Sequence, residues 1–186
     1  MLNFKKINYV TPFLCLFLLF GLLFYELFHA KPNELASARI GDSVPAFKLA
    51  TVYSPELSFT QADMQGKVSL LNVWATWCYA CALETDMLMK IKTQYHIPIY
   101  SIAYKDHPLD VKKWLQEKGN PYLLTGLDTN GDTAIDLGVY GTPETFIIDN
   151  HGKIIYRHIG VINQSNWDHV LYPLIQQLIQ HEKNLS

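Results

Sequence analysis

The sequence predicts an α/β fold: a mixed central sheet flanked by helices, with an N-terminal β-hairpin, preceded by one transmembrane helix. Three observations carry that prediction. A buried apolar run from Val68 to Val73 leads into Trp77-Cys78-Tyr79-Ala80-Cys81 and then into a helical pattern, which is a strand-to-helix turn. The elements that follow alternate as strand, helix, hairpin and helix. Ahead of them all, residues 10–28 are almost wholly apolar.

That first run, at about 1.5 Å per residue, reaches roughly 28 Å, close to the hydrocarbon thickness of a bilayer. Only Thr11, Pro12, Gly21 and Glu26 interrupt it, and Glu26 lies near its outer end. Lys5 and Lys6 precede it, so residues 1–9 are expected in the cytoplasm and the rest of the chain outside. Ala36-Ser37-Ala38 fits a small-x-small cleavage pattern but lies about ten residues past the run, and an uncleaved anchor is expected over a signal peptide. Cys15, inside the run, is read as an inert thiol. Residues 29–41 form a polar tether, and 42–186 the folded domain, long enough to bury a core without disulfides. The 15 basic and 17 acidic residues nearly balance and form no basic run, which argues against a nucleic-acid partner.

Within the domain, Ala46–Ala50 and Glu56–Phe59 alternate apolar and polar residues, as half-exposed strands do, with a turn at Tyr53-Ser54-Pro55. After the cysteines, Leu83, Met87, Ile91 and Tyr95 recur every fourth residue and predict one apolar helix face. Ile97–Ala103 suits a strand covered on both faces. Pro108 opens a helix with Val111, Trp114 and Leu115 inward, and Gly119 and Pro121 end it. Asp128–Asp132 resembles the start of a calcium loop, but its glycine falls two positions early and Val139 replaces the closing glutamate. It reads as a solvated turn before a short helix, Thr133–Leu137. Glu144–Ile148 and Lys153–His158 form a hairpin around Asp149–Gly152. The last helix is expected to be capped at Ser165-x-x-Asp168 and kinked at Pro173.

The chemistry concentrates at Cys78 and Cys81. A cysteine at a helix start faces unpaired N–H groups and the positive end of the dipole, which favours thiolate and makes Cys78 the nucleophile. Cys81, one turn in, is better shielded, closes the Cys78–Cys81 disulfide and resolves intermediates. A zinc site would need a second ligand pair that the chain lacks, so no metal is expected. Haem attachment needs a histidine at position 82, which is alanine. A purely structural disulfide across two residues would constrain little chain entropy. Thiol–disulfide exchange without a cofactor is the reading that remains.

Taken together, the chain resembles the thioredoxin superfamily, and within it the CcmG/DsbE branch of membrane-tethered cytochrome c maturation proteins. Trp77-Cys78-x-x-Cys81 and Thr142-Pro143 carry the superfamily. Leu71–Trp77, Tyr104-Lys105-Asp106, Gly119–Tyr122 and Gly138–Phe146 carry the branch. The resemblance implies a thioredoxin-like domain in the periplasm, anchored by a single pass in the bacterial inner membrane. It implies a reductant that takes electrons from a DsbD-type membrane donor. Its expected target is the Cys-x-x-Cys-His motif of apocytochrome c, or a mixed disulfide with other maturation components. It also implies a cis Thr142–Pro143 bond beside the cysteines, with Trp77, Tyr79 and Thr142 contacting substrate. The branch often has Pro-Thr between its cysteines where this chain has Tyr79-Ala80, so the potential does not transfer.

Two carboxylates add to the reducing direction. Glu84 lies three residues past Cys81 on the same helix, and Glu144 follows Pro143, close to the dithiol if that loop packs as the resemblance implies. A nearby negative charge disfavours thiolate and makes the dithiol readier to give up electrons. About 30 mV corresponds to about 1.4 kcal/mol for this couple, so one weakly coupled carboxylate matters. A general thiol oxidant or isomerase, a thiol peroxidase, and a non-catalytic apocytochrome-binding module are the alternatives.

Overall fold

The computed structural model describes residues 4–29 and 39–185. Most of the expected tether and the small-residue motif Ala36-Ser37-Ala38 lie outside them. The chain divides into two compact units, Met1–Ala36 and Ser37–Ser186. The first holds helix α1 (Phe4–His29), with Pro12 inside it. Its side chains are described over residues 11–25 and are exposed. That stretch is about 22 Å long, and among the described residues no helix is long and apolar enough to cross a membrane.

The second unit is built on a five-stranded mixed sheet. The buried run becomes the central strand β3 (Ser69–Trp74), every residue of which is buried. Strand β4 (Ile99–Tyr104) lies parallel to it, β5 (Thr125–Asp128) parallel to β4, and β6 (Glu144–Ile148) and β7 (Ile154–Ile159) antiparallel beyond. The mixed sheet and the last hairpin match expectation. Strand β5 was missed because Thr125-Gly126-Leu127-Asp128 carries no alternation of its own. Its place depends on a separate hairpin, β1 (Lys48–Ala50) with β2 (Ser58–Thr60), which packs on Gly126. A Cβ at Gly126 would come within 2.9 Å of Leu49 and 3.0 Å of Phe59. Gly126→Ala is therefore expected to cost about 1–3 kcal/mol, read as a lower urea midpoint with an unchanged slope.

Each sheet face carries its own core. One face packs Leu70, Trp74 and Ile147 against α2 (Tyr79–Lys90) and the C-terminal helix, α6 (Tyr172–Leu185). The other packs Leu71, Val73, Phe146 and Ile148 with Phe59 and Met64. Helix α3 (Pro108–Lys118) starts at Pro108 and buries Val111 and Leu115, as its pattern predicts.

Three local expectations are corrected. The buried face of α2 is Cys81, Glu84, Thr85, Met87 and Leu88, while Leu83 is 57% exposed. A four-residue repeat drifts around a helix of 3.6 residues per turn, so Leu83 leaves the face that Ile91 keeps. Asp128 is buried, not solvated: its carboxylate accepts N–H groups of Gly131, Thr133 and Ala134 at the start of α4 (Asp132–Asp136). The last helical segment is capped by Asn163, not Ser165. The Asn163 side chain accepts from Asn166 N at 3.0 Å and the Asn166 side chain accepts from Asn163 N at 2.9 Å, so α5 (Gln164–Asn166) opens two residues earlier than expected. A π-turn at Trp167–Leu171 then precedes Pro173, which has no N–H to contribute there.

Candidate active site

The C-terminal end of the central strand β3 delivers the cysteines to the site. Cys78 is the N-cap of α2, with φ −86° and ψ 106°, and its Sγ accepts the Cys81 N–H at 3.1 Å. The approach is pinned by Asp106, just past β4. Its carboxylate accepts from Thr76 N at 2.6 Å, from Thr76 Oγ1 at 2.9 Å and from His107 N at 2.8 Å. Trp77 Nε1 donates to the carbonyl of Lys105, a residue with positive φ. Cys78 and Cys81 are joined as a disulfide and are 7% and 3% exposed. Trp77 and Tyr79 beside them are 60% and 80% exposed, which leaves a bare aromatic rim around nearly buried sulfur.

The loop before β6 closes the site. The Thr142–Pro143 bond is cis, and Cys78 Sγ lies 3.4 Å from the Thr142 carbonyl oxygen. Two groups thus act on a reduced Cys78 with opposite sign. The Cys81 N–H stabilises a thiolate, and the Thr142 carbonyl accepts only from a protonated thiol.

The two glutamates are both fully buried, yet on opposite faces of the sheet. Glu84 lies under the face that carries Asn72. Its Oε1 accepts from Asn72 Nδ2 at 2.9 Å and its Oε2 from Ile162 N at 3.0 Å. Asn72 in turn accepts from Tyr122 Oη at 2.9 Å and donates to Thr145 Oγ1 at 3.0 Å. Burial pushes the Glu84 carboxyl up to about 7, only partly offset by those two donors. Cys81 and Glu84 share the buried face of α2 one turn apart, and such pairs have Cβ atoms about 5–6 Å from each other. A carboxyl that titrates near neutrality beneath the resolving thiol suits proton transfer with it.

Glu144 sits where β6 begins, but its charge is not free to act on the dithiol as expected. Arg157 Nε donates to its Oε2 at 2.6 Å, and Nη2 pairs with the same oxygen. Burial raises its pKa, and Arg157 with two loop N–H groups pulls it back. The sequence reading missed Arg157. The available signal was a lone arginine in an otherwise apolar and aromatic strand, Ile154-Ile155-Tyr156-Arg157. Asn72, Tyr122 and Asp106 were quoted as parts of motifs without a role, since their contacts join strands and loops far apart in the chain.

A two-stranded hairpin, a five-stranded mixed sheet and a helix-capping dithiol opposite a cis-proline loop define a thioredoxin-like thiol–disulfide oxidoreductase. The sequence profile of the Redoxin family matches residues 39–171. The thiol:disulfide interchange protein DsbE of Pseudomonas aeruginosa is 43% identical over 88% of this chain and 91% of its own. DsbE of Vibrio cholerae is 39% identical over 96% and 98%. A solved DsbE-assigned structure from Chlorobium tepidum superposes with a TM-score of 0.64 at 23% identity, over 74% of this chain and 96% of that one, a likeness of fold. This chain belongs to the Redoxin family and, within it, to the DsbE group of thiol:disulfide interchange proteins.

Proposed function

We propose that this oxidoreductase works as a reductant in cytochrome c biogenesis, keeping the Cys-x-x-Cys-His cysteines of apocytochrome c, or a mixed disulfide with a maturation partner, reduced for haem ligation. The observation that carries the direction is the contact of the Thr142 carbonyl with Cys78 Sγ, whose lone pairs oppose a thiolate and so withhold the thiolate stabilisation that makes a strong oxidant. The buried Glu84 beneath Cys81 adds to it. The Cys78 thiolate attacks one sulfur of the substrate disulfide, and the other sulfur leaves as a thiolate and takes a proton. Cys81 gives its proton to Glu84 and attacks Cys78, releasing the second substrate thiol. Two electrons pass to the substrate and the Cys78–Cys81 disulfide forms. A DsbD-type membrane dithiol then restores the pair. Exposed Trp77 and Tyr79 and the Thr142 backbone are the surfaces offered to an extended peptide.

The same reading places the protein in the bacterial inner membrane, anchored by residues 10–28, with the redox domain in the periplasm. Lys5 and Lys6 before the apolar run and the helix Phe4–His29 across it support this.

A peptide carrying an oxidised Cys-x-x-Cys-His segment, mixed with the reduced protein, is expected to be reduced faster than the same peptide with the two cysteines far apart in sequence. Equilibration with glutathione should leave the Cys78–Cys81 pair mainly oxidised. A predominantly reduced pair would favour the thiol-oxidant or isomerase alternative, and peroxide turnover would favour the peroxidase. Function surviving loss of both cysteines would favour a binding module. For the anchor, mass spectrometry of membrane-extracted protein should find residues ahead of Ala38, and quantitative cleavage there would replace the anchor with a signal peptide.

A further inference from the structure

The loop that faces Cys78 is tied down by a residue that no motif marks. Arg157 is 8% exposed on β7, and its guanidinium is paired with Oε2 of Glu144. The other oxygen, Oε1, accepts the N–H groups of Tyr140 and Gly141, each at 3.3 Å. The guanidinium carbon also lies 4.2 Å from the centre of the Tyr140 ring and 5.7 Å from that of Phe146. Loop backbone and loop ring are therefore both bound to one buried charge pair, and two residues past Tyr140 the Thr142 carbonyl meets Cys78 Sγ at 3.4 Å.

We propose that Arg157 is a positioning residue for the exchange reaction: through Glu144 and Tyr140 it locks the loop so that the Thr142 carbonyl stays against Cys78. The proposal rests on the dithiol chemistry alone and does not depend on apocytochrome being the substrate. The planar guanidinium suits the task because it binds a carboxylate with its edge while an aromatic ring covers its face. Lysine has the charge but neither the fork nor the flat face. The arrangement also compensates Glu144, so the loop is held without leaving a bare negative charge beside the sulfur.

The test uses the reduced full chain and follows alkylation of the Cys78 peptide across pH by mass spectrometry. Arg157→Met combined with Glu144→Gln removes both charges at similar volume, so neither is stranded in the interior. With the pair gone and its charges cancelled, a change at Cys78 reports the carbonyl. The thiol pKa is expected to fall by about one unit, a tenfold gain in thiolate at pH values below it. Arg157→Lys should fall by part of that amount. In both, the rate with an extended disulfide peptide should drop at least about fivefold relative to the rate with oxidised glutathione, because a small disulfide does not need the loop to align it. A folded double variant with an unchanged Cys78 pKa and an unchanged rate ratio would overturn the proposal and leave the pair a stabilising contact only. If the double variant does not fold, Tyr140→Leu decides, since Tyr140 is 58% exposed and its loss strips the ring from the guanidinium. It should lower the Cys78 pKa by about 0.3 unit, a twofold gain in thiolate, and no shift there would equally overturn the assignment.

Discussion

Cys78→Ser is expected to lower the rate of disulfide reduction by about a thousandfold or more, because a serine hydroxyl neither ionises near neutrality nor attacks sulfur as a thiolate does. Cys81→Ser should fail differently. The first attack still occurs at Cys78, the N-cap whose sulfur accepts the residue-81 N–H, but nothing remains to release the partner. A mixed disulfide with substrate should accumulate and survive non-reducing electrophoresis. The asymmetry follows from placement: Cys78 lies at the helix mouth beside exposed Trp77 and Tyr79, and Cys81 lies inward above Glu84. Equal trapping by both variants, or trapping by Cys78→Ser alone, would reverse the assigned order.

The second large effect is a pH dependence of stability set by Glu84. Its carboxyl titrates near 4.5 when unfolded and about 7 when folded. Between those values the folded chain holds a proton that the unfolded chain has released. Stability from this group is thus fully present below about pH 4.5 and is lost as pH rises to about 7, by a total of about 3 kcal/mol. Burial of Glu144 tilts the curve the same way. His158, lowered by burial, tilts it oppositely at pH below its unfolded value. The difference between the wild type and Glu84→Gln isolates the one group. Glutamine would set its amide N–H₂ against one of two N–H donors, a cost of about 1–3 kcal/mol that does not vary with pH. Urea unfolding of the oxidised proteins from pH 4.5 to 7.5 should show the wild type losing its advantage steadily. A constant difference across that range would mean that Glu84 does not carry the shift.

Much of this protein is local, and what is local was legible. The spacing of Cys78 and Cys81, the apolar run of β3 leading into them, the turn at Asp149–Gly152 and the proline at the start of α3 each depend on residues within a few positions. Periodicity and turn chemistry act over that range. The misreadings share a different cause. Leu83 looked inward by a repeat of four, and Ser165 looked like a cap by its spacing, yet packing of α2 on the sheet and the reciprocal Asn163–Asn166 bonds decided otherwise.

The site shows the division most sharply. By itself the sequence determined that there is a dithiol at a helix start with Glu84 on the same helix, while the family resemblance supplied the proline loop facing it and Glu144 beside that loop. Only the tertiary structure decided what the glutamates do. Glu84 is buried because helix α2 lies on the sheet face where Asn72 waits, twelve residues earlier and on another element. Glu144 meets Arg157 because of one extra residue in β7. The register runs Ile148 opposite Ile154 and then Ile147 opposite Tyr156, which leaves Ile155 bulged. Without that bulge Arg157 would stand opposite Thr145, on the other face. Side chains alternate faces along a strand, so a slip of one residue moves every later side chain across the sheet. The bulge is fixed by packing on both faces at once, a balance among residues distant in the chain.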